Sequence, residues 1–196
     1  MNSFEIIEKL KDANRVCICR PFSSAASFGF VALLRHTDLG DEASAALAST
    51  QVEEVLQAMI GALAAIDAAT GLRRAHATAE HQRTQFSAVV GIARQDSCNI
   101  DLHVVGDACV MLGSNDAEIV IPPELMDYGT GIYNVLRRAL GTHAFKADGG
   151  QSTARIDVDS RLKLVMGMFL PGSELAYRAS NRQALPAGFV FEVQNP

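Results

Sequence analysis

The sequence predicts an α+β fold: an antiparallel sheet with two main helices packed against it. Three observations carry this. Ile100, Leu102 and Val104 alternate with Asp101 and His103, as a strand with one buried face does. Apolar, strand-like runs follow one another from 86 to 121 with no helix between them, which disfavours a parallel doubly wound sheet. Two longer segments, 50–70 and 124–140, place apolar residues at three- and four-residue spacing. The 196 residues suit a single domain, with 1–49 as a candidate N-terminal appendage.

Residues 3–14 are expected to form a short helix. Ser3 can cap it, and Phe4, Ile6, Ile7 and Leu10 fall at helical spacings. Residues 15–20 and 28–35 read as strands joined by the turn-rich PFSSAAS. The small, polar segment 37–49 suits a loop or a short helix. In 50–70, Val52, Val55, Leu56, Met59, Ile60, Leu63 and Ile66 make one apolar stripe, and Gly71 reads as the stop. The opposite face holds Ala58, Gly61, Ala62, Ala65 and Ala69 and almost no charge. Small residues permit close approach, so this face is expected to be an interface, with a homodimer as its favoured cover.

The polar, basic stretch 72–84 suits an exposed strand or a surface loop. Phe86 to Ala93 is the next strand. The alternating strand around 100–104 is expected to turn at Gly106-Asp107 and return over Cys109 to Leu112 as a hairpin. A short strand at 118–121 ends at Pro122-Pro123. The helix at 124–140 carries Ile132, Val135, Leu136 and Leu140 and stops at Gly141. Residues 154–158 and 162–170 read as a second hairpin, and 188–193 as the last strand.

Composition bounds the function. Hydrophobic residues at 48% and charged ones at 20% are globular values and exclude a disordered chain. A net charge of −5 disfavours broad binding to nucleic acid or to an anionic membrane. The N-terminus is charged from Glu5 onward, so it lacks the apolar core of a secretory signal. The most apolar long segment carries Glu53, Glu54 and Asp67, so it is no membrane span. A soluble, cytoplasmic protein is expected.

No complete chemical motif stands out, so no catalytic, cofactor-binding or metal-binding residues are expected. Cys17 and Cys19 share a strand face and, with Cys98 or Cys109, would make a zinc site. Their one-residue spacing favours small buried hydrophobes instead. His76 and His81 are five apart, hence on different faces of a helix or a strand. His36, His103 and His143 stand singly, and His103 reads as a sheet-surface residue. No Gly-x-Ser-x-Gly elbow occurs. The glycines at Gly129, Gly131, Gly149 and Gly150 fit neither a phosphate loop nor a dinucleotide fingerprint. Asp157 and Asp159 share a strand face but suit a solvated edge, as Arg137-Arg138 suits a solvated helix face.

The segments NIDLHVVGDACVMLG, NVLRRALGTHAF and STARIDVDSRLKLVMGMFLP, within 98–171, make a hairpin, a helix end and a second hairpin. In this order they resemble the type III secretion chaperones of the Tir-chaperone family. The resemblance implies a small, acidic, cytoplasmic homodimer that binds an extended segment of a secreted protein. The chain departs from it in length, in the added 1–49 and in ending on a strand. The expected function is therefore a non-catalytic protein-binding module, secretion-chaperone-like, with a protein partner. One alternative is an enzyme or small-ligand-binding domain in which His103, Cys109 or His143 meets an acid. Another is a phage or mobile-element protein that inhibits a host protein.

Overall fold

A computed structural model of the chain describes residues 3–10, 17–35, 42–65, 67–97, 99–106, 108–112, 118–121, 139–142, 145, 152–157, 163–168 and 187–194. Ten strands and two helices lie within these. They are β1 (Ser3–Leu10), β2 (Cys17–Ser23), β3 (Ser27–Arg35), α1 (Glu42–Leu63), α2 (Ala68–His81), β4 (Phe86–Arg94) and β5 (Asn99–Val105). There follow β6 (Ala108–Leu112), β7 (Glu118–Ile121), β8 (Ser152–Asp157), β9 (Lys163–Met168) and β10 (Ala187–Gln194).

The strands build two five-stranded sheets, ordered β1-β10-β9-β6-β7 and β2-β3-β4-β5-β8, and every pairing is antiparallel. The first sheet lies against the second through β1 on β2 and β3, and β6 on β4 and β5. The helices cover the second sheet from the other side, over β2, β3 and β4. The fold is α+β, as the sequence predicts, but the second helix is α2 and not the one expected over 124–140.

Periodicity explains the helix layer. Val52, Val55, Leu56, Met59 and Leu63 of α1 are fully buried in one cluster with Val31, Leu33, Ala88 and Val90 of the sheet. Burying each such side chain contributes about 1.5–3 kcal/mol. The chain leaves the helix at residues 64–67 and restarts at α2. Asp67 caps the restart, its Oδ1 accepting the Thr70 N–H at 2.9 Å. The hydrogen bonds from Thr70 hold its carboxyl below the usual carboxylate range. Gly71 is therefore no stop: it sits in the first turn of α2, where a Cβ would lie 3.1 Å from Leu63 Cδ2. Its lack of a side chain lets the two helices close on each other. The stretch expected to be loop or exposed strand is the body of α2, which buries Gly71, Leu72, Ala75 and Ala79.

The sheet layer corrects other expectations. Residues 3–10 form a strand, not a helix. In β1, Ile6 pairs with Phe191 and Glu8 with Val190, so Ile7 is an extra residue in the ladder. That bulge breaks strict alternation and leaves apolar residues at spacings that imitate a helix. Neither expected hairpin forms. β5 pairs with β4 and β8, whereas β6 joins β7 and β9 in the other sheet. Gly106, at φ 78°, lies at the crossing. Likewise β8 belongs to the second sheet and β9 to the first. The helix expected over 124–140 lies outside the described residues except at its end. There Leu140 exchanges two backbone hydrogen bonds with Phe86, at 3.0 and 3.2 Å.

Between the sheets, Phe30 crosses to Gly91, its partner on β4. A Cβ at Gly91 would lie 2.5 Å from that ring. Phe30 is fully buried there, and any larger residue at 91 would displace it.

Candidate functional site

Cross-strand partners share a face of a sheet, so register assigns the polar groups. His103 pairs with Val90 and Asp101 with Ile92, which places both on the helix side of the second sheet. On the outer neighbour β8, Thr153 pairs with His103 and Arg155 with Asp101. The helix hairpin packs over β2, β3 and β4, and this polar group lies on the strands beyond them.

Arg155 grips Asp101 with both arms of its fork, Nε donating to Oδ1 and Nη2 donating to Oδ2 at 3.0 Å. His103 is mostly buried, and its Nδ1 is fully enclosed with no hydrogen-bond partner. Burial pushes its imidazole below the ordinary value of 6.5, while the Asp101 charge pulls the other way more weakly. His103 thus sits on one face with an acid, as the enzyme or ligand-binding alternative requires. The Cys109 side chain and His143 lie outside the described residues. Here a neutral imidazole has an unused nitrogen, next to a carboxylate already committed to arginine. That set can accept or donate one hydrogen bond; it holds no nucleophile.

A second polar contact lies on α2. His76 Nδ1 accepts the Gly141 N–H at 3.0 Å, and its ring packs on Phe145 with centroids 4.8 Å apart. His81, in the last turn of α2, is exposed. An open depression of about 560 Å³ runs along α1, lined by Ser49, Thr50, Glu53, Glu54 and Gln57. Its acids are engaged: Glu53 holds Arg20 of β2 at 3.2 Å and Glu54 accepts from Gln82 at 2.6 Å.

The expected interface residues do not form one surface. Ala62 is buried within the chain, Ala58 and Ala69 are half-buried, and Gly61 and Ala65 are exposed. The four cysteines are not brought together among the described residues. Cys19 is buried on β2 facing away from the helices, and Cys98 lies outside the described set. The His76–His81 spacing gives no sign of this contact, because the partners of His76 lie far along the chain at Gly141 and Phe145. No spacing in the sequence links them.

The sequence matches no protein-family profile and no curated protein. Solved structures resemble the fold along nearly the whole chain. The catalytic domain of the serine/threonine phosphatase PstP, in complex with two manganese ions, is 13% identical, with a TM-score of 0.52 over 100% of both chains. A stage II sporulation E family protein from Thermanaerovibrio acidaminovorans is 10% identical, with a TM-score of 0.60 over 90% of this chain and 98% of that one. RsbX in complex with magnesium is 11% identical, with a TM-score of 0.54 over 98% and 92%.

These neighbours overturn the secretion-chaperone resemblance and, with it, the expected non-catalytic chaperone function. The physical reason is topology. Both segments read as hairpins run from one sheet to the other, so the units that carried the resemblance do not exist. Two of these solved structures hold manganese or magnesium, which raises the question of a metal here. Among the described residues, no group of three His, Cys, Asp or Glu side chains could hold one. Asp38 and Asp41, between β3 and α1, and Asp159, between β8 and β9, lie outside the described residues. Among the described residues no helix is long and apolar enough to cross a membrane. The fold is also similar to that of a structure comprising the PP2C phosphatase domain and a regulatory fragment of SpoIIE from Bacillus subtilis, 9% identical, with a TM-score of 0.53 over 98% of this chain and 62% of that one.

Proposed function

We propose that this chain is an enzyme of the phosphatase type, hydrolysing phosphate monoesters on serine or threonine of a protein substrate. What supports the reading is likeness of fold to phosphatase domains over the full length of both chains. Phosphoryl transfer depends on positioning and on neutralising charge at the phosphate oxygens. This chain is acidic, at −5, and three of its described arginines, Arg20, Arg94 and Arg155, are held by Glu53, Asp96 and Asp101. A divalent cation, such as the manganese and magnesium in two of the neighbours, would add positive charge at the phosphate oxygens. The test is phosphate release from phosphoserine and phosphothreonine peptides with manganese or magnesium, against the same protein in EDTA. Metal-dependent release is expected. No release with either metal would remove the enzymatic reading and leave the fold alone. A homodimer through Gly61 and Ala65 remains a separate proposal, which light scattering of the purified chain tests.

A further inference from the structure

We infer that His76 is a proton-sensitive clasp that holds the segment ending at Phe145 onto α2. The inference is independent of the phosphatase reading. The segment matters because the chain between β7 and β8 passes from one sheet to the other. Its described end is pinned in three ways. Leu140 extends the β4 ladder through Phe86, where β5 no longer reaches. Gly141, at φ 84°, turns so tightly over Thr84 that a Cβ would run into the Thr84 carbonyl oxygen. The third pin is the Gly141 N–H, which donates to His76 Nδ1 while Phe145 stacks on the ring.

Only the third pin can titrate. An imidazole nitrogen accepts a hydrogen bond through a lone pair, which it has only when unprotonated. The contact therefore requires neutral His76 with its proton on Nε2. Among the described residues, the titratable group facing the ring is Glu80, one turn on, with Oε2 3.9 Å from Nε2. Gly141 and Phe145 of the segment carry no charge, nor do Thr84 and Phe86 beside it. Protonation would turn Nδ1 into a donor facing a donor. Glu80 would favour the proton at the other nitrogen, but it is 54% exposed, and an exposed ion pair contributes little. Turning the acceptor of a half-buried amide into a second donor outweighs it. The clasp is closed while His76 is neutral and opens when its ring takes up a second proton.

The test is amide exchange by NMR on the whole chain at about pH 8 and about pH 5.5. Protection of the Gly141 amide is expected to fall about tenfold or more on acidification, well beyond any fall at Val90 in β4, which reports the stability of the sheet as a whole. In His76→Asn the side-chain oxygen replaces Nδ1 as an acceptor that does not titrate, so Gly141 protection should be equal at both pH values. Unchanged protection in the parent chain, or the same loss in His76→Asn, would overturn the clasp. The ¹⁵N shifts of His76 decide the matter without any variant. A proton on Nδ1 at pH 8 contradicts the clasp, and a proton on Nε2 supports it.

Discussion

Val90 and His103 are partners across the β4–β5 pair and point to the same side of the same sheet. Val90 is fully buried under the helix hairpin with Val31, Leu33 and Leu56. His103 lies at the margin, beside an Asp101–Arg155 pair that is largely open to solvent. The backbone is equivalent on the two strands; the reach of α1 and α2 is what differs. The covered region stores stability, and the margin carries the groups whose charge can change. Stability and titration are thus separable in this sheet by one strand spacing.

The largest way to break that comparison is to put charge under the hairpin. In Val90→Asp the carboxylate has no partner among the apolar residues around it, and an uncompensated buried charge costs about 3–5 kcal/mol. Urea denaturation should show most of the folding stability gone. A variant as stable as the parent chain would mean that the helices do not seal this face.

The two regions were unequally legible in the sequence. The alternation from Ile100 to Val104 marks β5, and 118–121 marks β7, because residue chemistry there follows the pleat directly. α2 was hard to read because its buried stripe, Gly71, Leu72, Ala75 and Ala79, holds one large apolar residue among small ones, so the hydrophobic signal is weak by eye. The cap at Asp67 with Thr70 was the signal available, and Gly71 just beyond it reads as an ending. β1 was misread because one bulge residue, Ile7, shifts the apolar positions. Pairing was the deeper failure. Two strands separated by a tight glycine turn look like a hairpin whether the chain folds back or crosses to a second sheet. The polar margin inherits that failure: Arg155 meets Asp101 only because β8 pairs with β5. Sequence spacing places them 54 residues apart.

A smaller effect is expected at the margin itself. His103→Leu removes an enclosed Nδ1 that has no partner and fills the site with carbon. At neutral pH, stability should stay level or rise by about 1 kcal/mol. The pH dependence is sharper. Burial holds the folded imidazole below 6.5, so under that pH the unfolded chain takes up a proton that the native chain refuses. Stability is fully present above 6.5 and falls with acidification toward the lower folded value. Urea midpoints at about pH 7.5 and about pH 5 should separate more widely in the parent chain than in His103→Leu. Equal separations would mean that His103 is solvated and the margin begins further out.

The smallest effect sharpens the comparison most. Arg155 and Asp101 are 69% and 46% exposed, so their ion pair is screened by water and contributes little to folding despite its forked geometry. Arg155→Ala should leave thermal stability nearly unchanged, with any small loss disappearing at high salt. It should nevertheless be felt at His103. With the guanidinium gone, the Asp101 carboxylate acts on the imidazole without its counter-charge, and that action raises the affinity for a proton. An NMR titration of His103 in low salt should therefore move upward in Arg155→Ala and return toward the parent value as salt is added. A titration that does not move would mean that His103 is governed by burial alone. The polar margin would then be two independent features that happen to share a face. An upward shift with unchanged stability would show them coupled, with the charge on β8 setting the protonation of a side chain on β5.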